Sequence, residues 1–405
     1  NWYKMFKKGK GYSDYKMFEE FPSTCIAGNI RVGTNKGLIK ISELKENSYC
    51  DSGKITNHIN NGVRPVYRVK TKLGYILDCT DDHVIAIPSI LNTTEWKQLK
   101  DFSKNQFIKL QPPIFSDKLY TVKWTEFNFV NHSIDVTPEL ARFIGIFMGD
   151  GSYSGQVLSI AFDKKDKEFI RSTKELVYNL FGVKLNGRTL GSKNGGYELR
   201  AQKKGLTPYF EALGLIEQDK WGSWKRKIHV PECIMRSPKQ QISEFLKGVF
   251  EADGWIGDTT PLISIFSKYY DFLQDIQLLL LGFGITSRLS SRKAVNGNGF
   301  EYMANTIELK GEQADYYNKH IGFLSKRKID RFSTWRVKSY VKRTKNILID
   351  RVVSIEYIGE KEVFDITVED THQFSANGIL VHNCEEAFVA SGQKVFSPAY
   401  IKAVE

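Results

Sequence analysis

Two stretches of this chain, about a hundred residues apart, read as copies of one unit, and that duplication limits the possible folds more than any other feature. Thr137-Pro138 and Ser237-Pro238 each read as an N-cap followed by Pro at the first helical position. Each opens an apolar helix that closes on Asp-Gly, the first in Phe143-Ile-Gly-Ile-Phe-Met-Gly-Asp-Gly151 and the second in Leu246-Lys-Gly-Val-Phe-Glu-Ala-Asp-Gly254. An amphipathic run over 169–181 then leads to Gly182-Val183, and one over 270–283 leads to Gly284-Ile285. Gly182 stands 32 residues after Asp150 and Gly284 stands 31 after Asp253, so two αβ-type units of matching length predict a domain with a pseudo-twofold axis. Gly145 and Gly149 on one helix, with Gly248 and Ala252 on the other, are spaced to leave a flat face for close helix contact. Pairing those faces would bring Asp150 and Asp253 together at two negative helix ends, a repulsion best relieved by a bound cation. The plainer alternative is that each Asp caps its helix before a Gly turn.

On either side of the duplication the pattern is β. Short apolar runs at 30–32, 37–41, 66–71, 74–79 and 83–87 are separated by Asn-Gly, Gly and Asp-Asp turn signals, as expected of a compact all-β fold. The pattern returns over 351–358. Alternating apolar residues over 363–368 and 374–381, with Asn377-Gly378 between them, predict a hairpin whose turn needs positive φ. It ends on His382-Asn383-Cys384. An Asn beside its own peptide carbonyl can close a succinimide ring and break the chain after itself, and a following Cys supplies a thiolate nucleophile. Without other support these are three polar residues ending a hairpin.

The support is at the other end. Cys25 opens Cys-Ile-Ala-Gly-Asn-Ile-Arg-Val-Gly-Thr-Asn-Lys-Gly-Leu-Ile-Lys-Ile-Ser-Glu-Leu44, which resembles the opening motif of inteins, self-splicing protein insertions, and the hairpin through Asn383 resembles their closing motifs. Thr80-x-x-His83 stands where inteins keep such a pair, and Trp96-Lys-Gln-Leu-Lys-Asp-Phe-Ser-Lys-Asn-Gln-Phe107 resembles their last segment before an insertion. The two Asp-Gly helices resemble the signature of LAGLIDADG homing endonucleases. These resemblances imply an all-β, horseshoe-like splicing domain of the Hedgehog/intein type, interrupted by an α+β pseudo-twofold endonuclease domain. The expected divisions are a host-protein fragment over 1–24, splicing segments over 25–112 and 347–383, a linker over 113–135, the endonuclease over 136–335, and a second host fragment over 384–405. Joined, the flanks read Phe-Pro-Ser-Thr-Cys-Glu-Glu-Ala-Phe, which resembles a segment of phage terminase large subunits.

The resemblance to inteins implies roles. Cys25 would attack the Thr24 carbonyl to form a thioester, helped by Thr80 and His83; Cys384 would take over the acyl group; and Asn383 would cyclise, with His372 and His382 as proton donors and positioners. Asp365 matches an acidic position that tunes Cys384, or is a strand-surface Asp. Splicing would need no cofactor. The endonuclease resemblance implies Mg²⁺ at Asp150 and Asp253, and a basic residue in each half, Lys328 in one and Lys227 in the other, with Lys225 competing. Lys184, Arg188, Arg200, Lys203 and Lys204 in one half, and Arg288, Arg292 and Lys293 in the other, are expected phosphate contacts. The implied substrate is duplex DNA encoding the uninterrupted junction, read by a monomer.

The motif departs from the family at Met148 and Glu251, where an Asp would stand, and at Lys247, where a small residue would. An endonuclease that only binds DNA is therefore an alternative. A Cys/His autoprotease that cleaves without ligating is another, although simple thioester cleavage needs no Asn383. A formal net charge of +12 over 405 residues favours a polyanionic partner. No signal-peptide or membrane-spanning run is present in the sequence, which reads as cytoplasmic. Five cysteines, at 25, 50, 79, 233 and 384, form no CxxC pair, so individual thiols are expected instead of a zinc site or a disulfide framework.

Overall fold

The computed structural model describes residues 24–89, 93–125, 131–190, 196–295, 297, 299–333, 335 and 348–383. Cys384 and the expected host fragments, apart from Thr24, lie outside the described residues.

Two long strands, Gly53–Thr71 and Leu348–Val368, pair antiparallel and form the spine of a twelve-stranded sheet. Four register shifts interrupt the pairing, and such irregularities let a long ribbon bend. The two ends of the chain interleave in this sheet. Strand Ile26–Ala27 lies between Leu348–Val368 and Ile76–Cys79, and Ile379–His382 lies between Phe107–Leu110 and Val84–Pro88. The shared core includes Val32, Val69, Leu77, Ile85, Ile366 and Phe374. Hairpin strands Gln373–Ala376 and Ile379–His382 are joined by Asn377 at φ 47° and Gly378 at φ 82°, the positive-φ pair that a two-residue Asn-Gly turn requires.

Two differences from the sequence expectation have one cause. The run at 66–71 is the end of a strand that starts at Gly53, and Asn61-Gly62 lies inside that strand as an irregularity instead of ending it. Likewise the run at 363–368 belongs to Leu348–Val368, not to the closing hairpin. Residues that tolerate positive φ mark bulges as well as turns.

Between residues 113 and 335 the chain is α+β. Helix Pro138–Asp150 is capped by the Thr137 hydroxyl, which accepts the Leu140 N–H at 3.2 Å. Helix Lys239–Ala252 has Pro238 at its N-cap, and the Ser237 hydroxyl instead donates to the Cys233 carbonyl at 2.6 Å. The helices pack through their small residues: a Cβ on Gly145 would stand 2.1 Å from the Phe245 carbonyl oxygen, and one on Gly248 would stand 2.5 Å from that of Arg142. Each helix runs into a four-stranded sheet of spatial order 1-2-4-3, formed by Gly151–Tyr153, Val157–Asp163, Asn186–Thr189 and Gly196–Gln202 in one lobe and Gly254–Ile256, Leu262–Ser267, Arg288–Val295 and Glu301–Lys310 in the other. The segment expected to be a linker contains a hairpin, Thr121–Thr125 with Asn131–Asp135, whose Val122 is buried in the core of this domain. Among the described residues no helix is long and apolar enough to cross a membrane.

The two domains share a wall. Leu281, from helix Tyr270–Gly282, is fully buried in the β core, and a Cβ on Gly378 would lie 2.4 Å from its Cδ2. Arg31 donates its backbone N–H to the Asn377 side chain at 2.9 Å and carries its guanidinium to Glu232 of the α+β domain at 2.5 Å.

Candidate active sites

The Thr24–Cys25 peptide bond is buried and gripped at its nitrogen. The Cys25 N–H donates to the Thr80 hydroxyl oxygen at 3.1 Å, and the Thr80 N–H donates to the Cys25 carbonyl at 3.0 Å. The Thr80 hydroxyl has one proton, and the Asp82 carboxylate at 2.5 Å takes it, leaving its lone pairs for the Cys25 N–H. Asp82 was not anticipated; its spacing two residues after Thr80 is the only sequence signal. Burial pushes its carboxyl pKa up, against the bond from Thr80. His83 is fully buried with its ring toward the Thr24 backbone, although neither ring nitrogen completes a hydrogen bond. Burial pushes its pKa down to about 3, opposed by the Thr24 backbone and reinforced by His382, so the imidazole is neutral at ordinary pH. The Asn61 side-chain amide donates to the Cys25 sulfur at 3.1 Å, a contact the sequence did not reveal. Asp365 is buried, and the register of Ile26 with Phe364, carried one residue further, sets it opposite Cys25. The surface-Asp alternative is thereby excluded. Burial raises the Cys79 thiol well above its ordinary pKa, that of Cys50 to about 11 and that of Cys233 to about 12, as expected of structural cysteines.

At the other end, the Asn383 N–H donates to the His372 carbonyl at 3.0 Å. The His382 Nδ1 lies 2.7 Å from the Asn383 carbonyl oxygen, the group attacked if Asn383 cyclises, and donates to it in the Nδ1–H tautomer. Trp96 meets the His382 ring edge-on at 5.0 Å, and the His372 ring stacks at 6.2 Å. His372 is held at φ 52°, a left-handed conformation that costs a non-glycine residue energy. Val381 pairs with Ile85, two residues beyond His83, and Ile26 pairs with Cys79, one residue before Thr80, so the short segment 79–85 touches both ends of the 25–383 segment.

The second site lies at the C-terminal ends of the packed helices. A Cβ on Gly149 would stand 3.5 Å from the Asp253 carboxyl carbon, so Asp150 and Asp253 flank one seam. Burial, then the Asp253 charge, pushes Asp150 up to about 6, while Lys328 and Arg226 pull it down. Burial raises Asp253 against the same two cations. Arg226 donates to the Phe147 carbonyl at 3.0 Å and to that of Gly149, while Lys328 donates to the carbonyls of Phe250, Glu251 and Gly254 at 2.8, 2.5 and 2.7 Å. One cation thus closes the negative end of each helix. Burial brings Lys328 down to about 8.

The structure brings Arg226, not Lys227, to the acid pair. In the strand Trp224–Arg226 alternate side chains face opposite ways: Lys225 turns to Glu217 at 3.3 Å, and Lys227 is exposed. The departures at the motif position are also explained. Glu251 accepts the Leu324 and Ser325 N–H groups at 2.7 and 3.1 Å, just before the helix Lys326–Ser333 that carries Lys328, and Met148 is buried in the core. Lys184, Arg188, Arg200, Lys203, Lys204, Arg288, Arg292 and Lys293 are all exposed, although Arg188 already holds Glu198 at 2.5 Å.

The family model described as an intein splicing domain matches residues 19–383, and the chain belongs to that family. The DNA polymerase of Thermococcus sp. (strain GE8) is 27% identical over 82% of this chain and 20% of its own length. The ribonucleoside-diphosphate reductase subunit alpha of Bacillus phage SPbeta is 24% identical over 82% of this chain and 31% of its own length, and the DnaB helicase of Synechocystis sp. is 23% identical over 83% and 45%. The chain spans about a fifth of the length of the first curated relatives it matches. Among solved structures, the Ssp DnaB mini-intein variant M86 aligns over 90% of this chain and 98% of its own, at 12% identity and a TM-score of 0.31. The homing endonuclease I-DmoI in complex with DNA and Mn aligns over 46% and 97%, at 18% identity and a TM-score of 0.34.

Proposed function

We propose that residues 25–383 excise themselves and ligate their flanks. The observation that carries this is the meeting of the two ends: Thr80 holds the Cys25 nitrogen and His382 touches the Asn383 carbonyl, within one sheet. Cys25 Sγ attacks the Thr24 carbonyl carbon; the C–S bond forms as the C–N bond breaks, and the thiol proton ends on the Cys25 nitrogen. Thr80 and His83 polarise that amide. Cys384, which lies outside the described residues, takes the acyl group, with Asp365 tuning its thiolate. The Asn383 side-chain nitrogen then attacks its own carbonyl carbon, closing a succinimide as the bond to the Cys384 nitrogen breaks and that nitrogen takes up the amide proton. His382 donates to the carbonyl oxygen with His372 as positioner, and the freed Cys384 amine takes the acyl group from its own sulfur, an S-to-N shift that leaves a peptide between Thr24 and Cys384. Fixing nucleophile and carbonyl together can remove roughly 7–11 kcal/mol of the barrier, with no cofactor. The relatives support an insertion: they are a polymerase, a reductase and a helicase, and this chain matches less than half of each. The host proposed for this chain is a terminase-like protein. In the Asn383→Ala variant, added thiol should cut between Thr24 and Cys25, and Cys25→Ala should abolish that cut. Ligation surviving in both variants would overturn the assignment.

The α+β domain is proposed to cut duplex DNA encoding the joined junction, and this rests on the acid pair. Two carboxylates raised by burial, Asp150 also by the charge of Asp253, suit a hard divalent cation, and Mg²⁺ commonly binds through one or two carboxylates together with substrate phosphate. When bound, Mg²⁺ would activate water and stabilise the leaving oxygen. Arg226 and Lys328 would hold the flanking phosphates, and the exposed Lys and Arg rows would position the duplex. Both lobes belong to one chain, so a monomer suffices. A plasmid carrying the joined junction should be cut with Mg²⁺, and one carrying the interrupted gene should not. Binding without cutting would favour the degenerate alternative.

A further inference from the structure

We infer that Asn61 is a catalytic residue of the first splicing step, donating a hydrogen bond to the Cys25 sulfur from a bulge built for that purpose. The inference rests on the splicing reading above. In the pairing of the two long strands, Asn60 lies opposite Phe364 and Val63 opposite Glu362. Asn61 and Gly62 therefore share the single position of Val363, two residues against one, which defines a β-bulge. Gly62 sits at φ 73°, and a Cβ there would meet nothing within 4 Å, so glycine serves the backbone conformation and not the space. The Asn60 side chain locks the bulge from both sides, accepting the Gly62 N–H at 2.9 Å and donating to Glu362 at 2.7 Å.

Bulges re-aim side chains, and this one sends the Asn61 amide nitrogen to 3.1 Å from Cys25 Sγ. Cys25 is fully buried, so water does not solvate the charge that gathers on sulfur before attack. A fixed donor in such surroundings counts for more than it would in water. The amide transfers no proton: the thiol proton still ends on the Cys25 nitrogen, and Asn61 stabilises the thiolate that forms the C–S bond. An amide donor keeps its N–H at every working pH, unlike the histidines nearby.

The test uses the Asn383→Ala chain, in which thiol-induced cleavage between Thr24 and Cys25 reports this step alone. Asn61→Ala should slow that cleavage roughly 100-fold or more near neutral pH, within the range seen for losing one preorganised donor, and move the rate–pH midpoint upward so that most of the rate returns in alkali. Asn61→Asp keeps the shape, replaces the donor with a negative acceptor, and should move the midpoint further. In a Cys25→Ala chain, the same substitutions should leave Asn383 release within about twofold, since Asn61 is not part of that site. An unchanged rate and pH profile in Asn61→Ala, or equal losses at both ends in both variants, would overturn the assignment. If the Asn383→Ala parent itself resists thiol, the splicing reading falls and takes this assignment with it.

Discussion

At the splicing site each part occurs once. Cys25 is served by Thr80 and Asn61, His83 faces Thr24, and Asn383 is served by His372 and His382, each drawn from a different place in the sheet. At the acid pair each part occurs twice: two Gly-faced helices, two aspartates and two cations capping the helix ends. The electrostatics differ accordingly. Burial leaves His83 neutral, and the reaction proposed there works on a bond of its own chain. The other site concentrates two carboxylates and two cations in a half-buried seam, an arrangement that the proposed metal ion and DNA phosphates would complete. A reaction within the chain is served by positioning, whereas one on a separate molecule needs charge to capture it.

The strongest way to break this contrast is to cross the variants. Cys25→Ala and Asn383→Ala should abolish ligation, by about three orders of magnitude or more, and leave DNA cutting within about twofold; Asp150→Asn and Asp253→Asn should do the reverse. Splicing gels and plasmid cutting on the same preparations decide it, and any variant that abolishes both activities while still folded would break the contrast. Next in size, Arg226→Ala should lower double-strand cutting roughly 100-fold or more, whereas Lys227→Ala should change it less than about twofold. Equal effects would return Lys227 to the site.

The shared wall limits the independence of the two sites. Leu281→Ala removes a fully buried side chain that belongs to the α+β domain by sequence and to the β core by packing, and should cost about 3 kcal/mol in denaturant unfolding. Because Leu281 packs on the turn at Gly378, Asn383 release should slow more than DNA cutting does. A loss below about 1 kcal/mol would mean the wall is not packed as described.

The smallest effect concerns pH. The folded pKa of Asp150, about 6, lies above the ordinary carboxylate value, so the folded state holds that proton more tightly. Stability from this group is present at low pH, declines as pH rises from about 4 to 6, and stays lost above. Asp150→Asn should therefore stabilise the metal-free protein by about 2 kcal/mol at pH 7.5, with the gain shrinking toward pH 4, as thermal melts would show. Cutting by the parent should fall below pH 6 as the pair takes up protons.

What the sequence reveals follows the same division. The duplicated helices and their aspartates are legible because a repeat tests itself, and Cys25, Thr80, His83 and Asn383 are legible because their order along the chain matches a known pattern. Lys225-Arg226-Lys227 is not: three adjacent cations give no indication of which one a three-residue strand turns inward. Asn61-Gly62 reads as a turn in the sequence because positive φ serves a turn and a bulge equally, and only the pairing with Leu348–Val368 separates them. Asp82 looks like part of a turn until its distance to the Thr80 hydroxyl is known. The hairpin at 121–135 was hidden because only one of its strand residues, Val122, is fully buried.

The central claim is that one chain removes its own middle. Intact-mass spectrometry of the purified protein after incubation tests it directly. Two new species are expected: residues 25–383 ending in a cyclised Asn383, lighter by one water than the open-chain peptide, and a short peptide in which Thr24 is joined to Cys384. Intact chain alone, or separate flanks with no joined peptide, would contradict it.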